Sequence, residues 1–232
     1  MYTRRQFTGA ALTAVAAAGL PTAAWAANDE QALIDDAVRT LANFEGDPDM
    51  GWYRQYVPRA RGILIVPQLL KAGFIIGGEG GSGVLLGRDP KSGAWSPPAF
   101  YTMGAGSIGF QIGAEAQEVI LVIMTDKGVN SLLESNVKLG AEASVSVGPK
   151  GAGVEAATAP NLSADIVSFA RSKGLYGGIS LEGAVVATRK EWNTAYYGKP
   201  VTSTDIIVRR EVDNAGTAAL KAAVAKATSK KM

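Results

Sequence analysis

The sequence predicts an α+β fold: a compact, curved, mostly antiparallel β-sheet or small barrel, flanked by N-terminal, middle and C-terminal helices. Three observations predict it. From Arg61 to Gly113, bulky aliphatic residues alternate in patches with glycine, and charges are few. That run is too interrupted to cross a bilayer as a helix, and its glycines suit strands that bend or approach one another closely. Further along, apolar and polar residues alternate with a period of two, the mark of strands with one buried face. Near both ends, apolar residues recur at helical spacing. Of the 28 glycines, 22 fall between Gly62 and Gly183, which puts the curved sheet in the middle of the chain.

The elements follow in order. Met1–Ala26 holds Arg4-Arg5, a short apolar stretch to Leu20, then Pro21 and Ala24-Trp25-Ala26. It reads as a signal peptide of the twin-arginine type, cleaved after Ala26, with a single domain over 27–232 and a periplasmic location, peripheral to a membrane. Asp29 to Phe44 is a helix through Leu33, Ile34, Ala37, Val38, Leu41 and Phe44, and its polar face is acidic: Glu30, Asp35 and Asp36 against Arg39. Gly46-Asp47-Pro48-Asp49 breaks it, and a short helix is expected over Tyr53–Ala60.

Ile63–Val66 reads as a strand ended by Pro67. Ile108, Phe110 and Ile112 alternate with Ser107, Gly109 and Gln111, and Val119–Met124 is a strand buried on both faces. Asp126 is placed as the cap of a helix to about Ser135. Alternation then marks strands over Ala141–Val147 and Leu175–Glu182, with Glu182 either outward or buried and hydrogen-bonded. Helices close the chain over Thr204–Arg210 and Ala215–Ala227, with Lys226, Lys230 and Lys231 at the favourable end of the last dipole.

Composition removes many functions. The chain has no cysteine and no histidine. Disulfides, zinc held by Cys or His, His-ligated haem, cysteine nucleophiles and His-based triads are excluded. The 23 Lys and Arg exceed the 21 Asp and Glu by two, and Arg4 and Arg5 are the only charges before Ala27. Without them the signs balance, so contact with an anionic partner requires a local patch. Gly78-x-Gly80-x-x-Gly83 and Gly104-x-Gly106-x-x-Gly109 match a dinucleotide fingerprint in spacing only. Neither opens a helix, and both read as turn or barrel-corner glycines. Asp47, Asp49 and Gly51 lack the glycine and glutamate of a calcium loop. Glu115 and Glu118, a nominal carboxylate pair, read as a solvated loop. No metal, cofactor or catalytic residue is expected.

Gly62-Ile-Leu-Ile-Val-Pro67, Lys71-Ala-Gly-Phe74, Gly77-Gly78 and Gly81-Ser-Gly-Val-Leu85 open a series of ordered blocks. Ser107-Ile-Gly-Phe-Gln-Ile-Gly113, Lys138–Ser144, Val147-Gly-Pro149, Gly174–Gly183 and Tyr196-Tyr-Gly198 continue it. Together, over roughly Asp29–Lys226, they resemble the SYLF domain, and the chain is similar to exported bacterial lipid-binding SYLF proteins. The resemblance implies a non-enzymatic module that binds phospholipid, with phosphoinositide-like headgroups, at a membrane surface. The alternative is a structural or protein-interaction module of the cell envelope. In eukaryotes the domain accompanies SH3 or FYVE modules, and fungal members bind actin filaments, a partner an exported protein does not meet. Lipid binding there is ascribed to a basic amphipathic N-terminal helix, whereas the matching helix here is acidic. The lipid-binding candidates are therefore Arg54, Arg59, Arg61 and Lys71, with Trp52, Tyr53 and Tyr56 at the headgroup level. Nucleic acid is not an expected partner.

Overall fold

A computed structural model describes residues 22–73, 76–108, 113–148, 163–172 and 181–229. Its centre is an eight-stranded sheet curled into a half-barrel, as the α+β expectation requires. The strands are β1 (Gly62–Gly73), β2 (Ile76–Gly87), β3 (Ala99–Ile108), β4 (Gly113–Ile123), β5 (Asn136–Lys138), β6 (Val145–Val147), β7 (Ile166–Ser172) and β8 (Val185–Thr188). Their order is β5-β8-β3-β2-β1-β4-β7-β6. All pairings are antiparallel except β6 with β7.

Both faces of the sheet are covered, which explains the continuous apolar runs. Along β1, Ile63 and Ile65 enter one core, and Leu64 and Val66 enter the other. The first core lies under α1 (Thr22–Gly46), α2 (Gly51–Tyr56), α4 (Lys190–Tyr197) and α5 (Ala218–Ser229). The second is closed by α3 (Asp126–Leu133), the Leu139–Ala143 turn and a π-type turn over Asp205–Arg209. The predicted stripe of α1 is its inner face, with Ile34, Ala37, Leu41 and Phe44 buried. Its polar face is less uniform than predicted. Glu30 is buried, and burial pushes its carboxyl up against the opposing pull of its own backbone N–H.

Several boundaries differ from expectation. β1 does not stop at Pro67. The register slips between Val66 and Leu69, so a β-bulge accommodates a residue that has no N–H to give the ladder. The bulge brings backbone against β2, where a Cβ on Gly83 would lie 2.6 Å from the Ile65 oxygen. Gly78, Gly80, Gly104 and Gly106 pair in the β2–β3 ladder and so lie inside strands, not at turns or barrel corners. The cap of α3 is Thr125, whose hydroxyl accepts from Gly128 N–H, not Asp126. Only Val145–Val147 of the Ala141–Val147 alternation forms a strand. Glu118 is a strand residue rather than part of a solvated loop, and alternation puts Glu115 on the opposite face, so the two do not form a catalytic pair. Glu182 is exposed, in the turn before β8. The expectations for residues 1–21, 109–112 and 173–180 lie outside the described residues.

Helix α4 was not foreseen. Asn193 on it is buried and accepts from the Phe100 N–H at 2.8 Å, and Gly198 in the left-handed region ends it.

Candidate functional site

The predicted site residues separate into three groups. Trp52, Tyr53 and Tyr56 face inward on α2 and are 5%, 0% and 1% exposed. Tyr53 packs edge-on to Phe44 and Phe169, and Tyr56 tilts against Phe169. The apolar bodies of these rings outweigh their polar tips, so they build the core and are not presented to a headgroup layer. Burial drives the Tyr53 hydroxyl strongly upward, keeping it neutral.

Arg54 is spent on the fold. It donates to the carbonyls of Phe44, Glu45, Asp47 and Pro48, at the end of α1 where helix carbonyls lack partners. Lys71 stands in register with Glu79 on β2 and Glu115 on β4, between two carboxylates. It is ten positions along β1 from Arg61, roughly 30 Å at strand rise.

Arg59 and Arg61 do come together, with partners that the sequence reading missed. The Arg61 N–H bonds to the Ile123 carbonyl, and the Arg88 N–H bonds to the Arg61 carbonyl, so the ends of β1, β2 and β4 meet there. Residues 88–95 fold back as a tight loop. Asp89 Oδ1 accepts from the Ser92 N–H at 2.7 Å, the Ser92 hydroxyl at 2.9 Å and the Lys91 N–H at 3.0 Å. These bonds, the Ser92 N–H first, hold the Asp89 carboxyl below the usual carboxylate range. The Arg88 Nη1 donates to the Pro58 carbonyl at 3.0 Å, tying the loop to the turn that ends in Arg59. Arg59 lies over the Tyr56 ring at 4.9 Å.

Two adjoining hollows result. One, of about 370 Å³, is lined by Arg59, Arg61, Arg88, Asp89, Lys91 and Ser92 among others. The second, of about 210 Å³, shares Arg61, Arg88 and Asp89 and adds Asp126, Val208 and Arg210. Five cations thus stand against two carboxylates. One carboxylate is occupied by its own loop. The other, Asp126, is 75% exposed and sits 3.9 Å from the Arg61 Nε. Val208, at the lip, is 55% exposed. This corner carries a local excess of positive charge.

A hollow of about 470 Å³ between α1 and the sheet is different in kind. Its Arg171 is paired with Asp47 at 2.7 Å and Glu118 at 3.0 Å, and Glu118 also accepts from Asn43 at 2.6 Å. The hydrogen bonds to Asp47 and then Glu118 raise the Arg171 pKa. Those charges satisfy one another and fasten α1 to β4 and β7. Among the described residues no group of carboxylates is arranged to hold a metal ion, and no helix is long and apolar enough to cross a membrane.

The family model described as "Ysc84: Las17-binding protein actin regulator" matches residues 104–227, which run from within β3 into α5. The chain belongs to the Ysc84, or SYLF, family. LAS seventeen-binding protein 3 of Saccharomyces cerevisiae is 34% identical over 182 residues, which cover 75% of this chain and 39% of that protein. SH3 domain-containing YSC84-like protein 1 of Homo sapiens is 34% identical over 152 residues, covering 65% of this chain and 44% of that protein. Protein YSC84 of Saccharomyces cerevisiae is 36% identical over 155 residues, covering 66% and 33%. This SYLF chain thus spans less than half the length of these relatives. The first of these relatives and the family model carry names of binding and regulatory proteins rather than of enzymes.

Proposed function

We propose that this SYLF chain is a non-enzymatic module that attaches to an anionic phospholipid surface through the corner formed by Arg59, Arg61, Arg88, Lys91 and Arg210. The observation that carries the reading is the concentration of these five cations around two joined hollows. A cation near an anionic leaflet contributes about 1 kcal/mol. Val208 supplies shallow apolar contact beside them. A phosphoinositide-like headgroup is the finer expectation, in keeping with the family resemblance. In this reading the acidic polar face of α1 is not the anchor.

The reading also takes Met1–Ala26 as an export signal and the mature chain as periplasmic, where actin is absent. Co-sedimentation with vesicles tests the function. The protein is expected to pellet with vesicles containing anionic phospholipid and to remain in solution with phosphatidylcholine alone. Absence from every vesicle pellet overturns the proposal. A second reading, a protein-interaction module of the envelope, draws on relatives named for binding Las17. One stoichiometric envelope protein retained without lipid would favour it.

A further inference from the structure

Two of the large apolar side chains exposed among the described residues, Leu70 at 52% and Val185 at 42%, stand in one row across the sheet. Leu70 on β1 pairs with Gly80 on β2, Gly80 with Gly104 on β3, and Gly104 with Val185 on β8. Alternation along β2 and β3 puts this row on the face of Val84 and Phe100, which the helices cover further along. The next row adds Gly78 and Gly106, both exposed. The result is a groove with a bare floor two strands wide and an apolar wall on each side. The wall backbones are three strand spacings apart, about 14 Å. The fold itself does not require these glycines. None of the four has a positive φ. An added Cβ would lie 3.8 Å from the nearest carbonyl oxygen at Gly78 and at Gly80, and 3.4 Å at Gly104, and would meet nothing within 4 Å at Gly106. Glycine inside a strand weakens it and marks a place where another chain or a ligand comes close.

The place and size of the groove select its occupant. At one end it meets the row of Ser82 and Thr102. Arg189 Nη1 donates to the Ser82 hydroxyl at 2.7 Å, and Arg189 lies in the field of Glu30 and Asp29 on α1. From Asp29 back to Thr22, α1 runs seven residues, about 10 Å, and 21 residues of the chain precede it. The two glycine rows cover about 14 by 7 Å, far less than the roughly 800 Å² per partner of a stable interface. A tethered segment needs less area, because its local concentration is high. Residues 7–20 carry no charge, eight of the fourteen are Ala or Gly, and Phe7, Leu12, Val15 and Leu20 supply bulk. Coiled as a helix, fourteen residues span about 21 Å, against about 20 Å of β2 from Ser82 to Ile76. We propose that residues 7–20 lie in this groove in the uncleaved chain, between Leu70 and Val185, with their backbone against the glycine floor. The groove is independent of the proposed lipid surface: the basic corner lies at the Gly87 end of β2, the groove toward the Ile76 end. Under the export reading, cleavage after Ala26 empties it.

The test uses the full chain, which has no cysteine to give background. Gly80→Cys places a thiol on the groove floor, where an added Cβ has room, so the variant is expected to keep the wild-type thermal midpoint. Its reaction with a maleimide is expected to be about tenfold slower than in the same variant carrying Leu12→Glu and Val15→Glu, as for a segment seated about nine-tenths of the time. In a second arm, Gly80→Cys is combined with Ala14→Cys and treated with a short bismaleimide. A cross-link within one chain is expected. Ala14→Cys combined with Val208→Cys, exposed beside the Gly87 end of β2, is expected to give none. Equal labelling rates with and without the two glutamates overturn the proposal, as do equal cross-linking yields at Gly80→Cys and Val208→Cys. A cross-linked dimer of Gly80→Cys alone assigns the groove to a second copy of the chain. Slow labelling that survives the two glutamates assigns it to a separate partner. Either result overturns the assignment to residues 7–20.

Discussion

At the scale of single residues, the most consequential carboxylate is one with no part in the basic corner. Asp165 is buried to 6% exposure beside the start of β7. Burial pushes its carboxyl up. Hydrogen bonds from the Thr125 hydroxyl at 2.7 Å, from the Ser144 hydroxyl at 2.8 Å and from the Ser144 N–H at 3.1 Å outweigh that. The carboxyl is held at about 2. Because the folded value lies below the unfolded one near 3.9, the stabilisation is present above about pH 4 and is lost as pH falls toward about 2. Asp165→Asn keeps the shape and removes the charge. It is expected to lower stability at neutral pH by on the order of 2 kcal/mol, read from urea midpoints. The gap to wild type is expected to close as both are titrated down to about pH 2. A gap that does not change with pH would mean the side chain acts by shape alone.

At the scale of elements, the bulge in β1 decides which glycines matter. Gly83 faces it, and an added Cβ would also lie 2.8 Å from Val66 Cγ2. Gly106 on β3 has nothing within 4 Å of that position and has no positive φ. Gly83→Ala is therefore expected to cost about 1–3 kcal/mol by overpacking. Gly106→Ala is expected to raise stability by about 0.4–1 kcal/mol, through a less flexible unfolded chain. Calorimetry of the two variants checks the pair, and equal effects would refute the distinction. The sequence shows that glycines crowd this run but not which of them meet backbone, because that depends on a register slip at Pro67. The same limit hid the site. Arg59 and Arg61 were legible as basic residues beside a strand start. Arg88 and Lys91 join them only because Gly62 pairs with Gly87 on β2. Arg210 arrives from a turn 149 positions along the chain from Arg61, and no local pattern announces it. The inward turn of Trp52, Tyr53 and Tyr56 was hidden for a related reason. Six residues of helix give too little periodicity to tell a core face from an interfacial one.

At the scale of the molecule, the charge distribution predicts how the protein would meet a surface. Without Arg4 and Arg5 the chain carries 21 charges of each sign, so no global field draws it to an anionic layer. In the proposed reading the attraction is local to one end of the half-barrel, where β1 begins and β4 ends beside Arg59 and Arg61. Lys71 lies roughly 30 Å away along β1, about three screening lengths at 0.1 M salt. A surface engaged by the basic corner is thus beyond the reach of Lys71, and the protein should stand end-on. Reversing two charges with Arg59→Glu and Arg61→Glu changes the corner by four units. At about 1 kcal/mol per unit, affinity for anionic vesicles is expected to fall about 1,000-fold. Lys71→Glu changes the net charge of the molecule by two units and is expected to alter affinity by less than about threefold at the same salt. Vesicle titrations at two ionic strengths separate the cases. The wild type should weaken steeply as salt rises, and the double variant should show little further loss. If Lys71→Glu weakened binding in proportion to its charge, net charge rather than the corner would govern attachment.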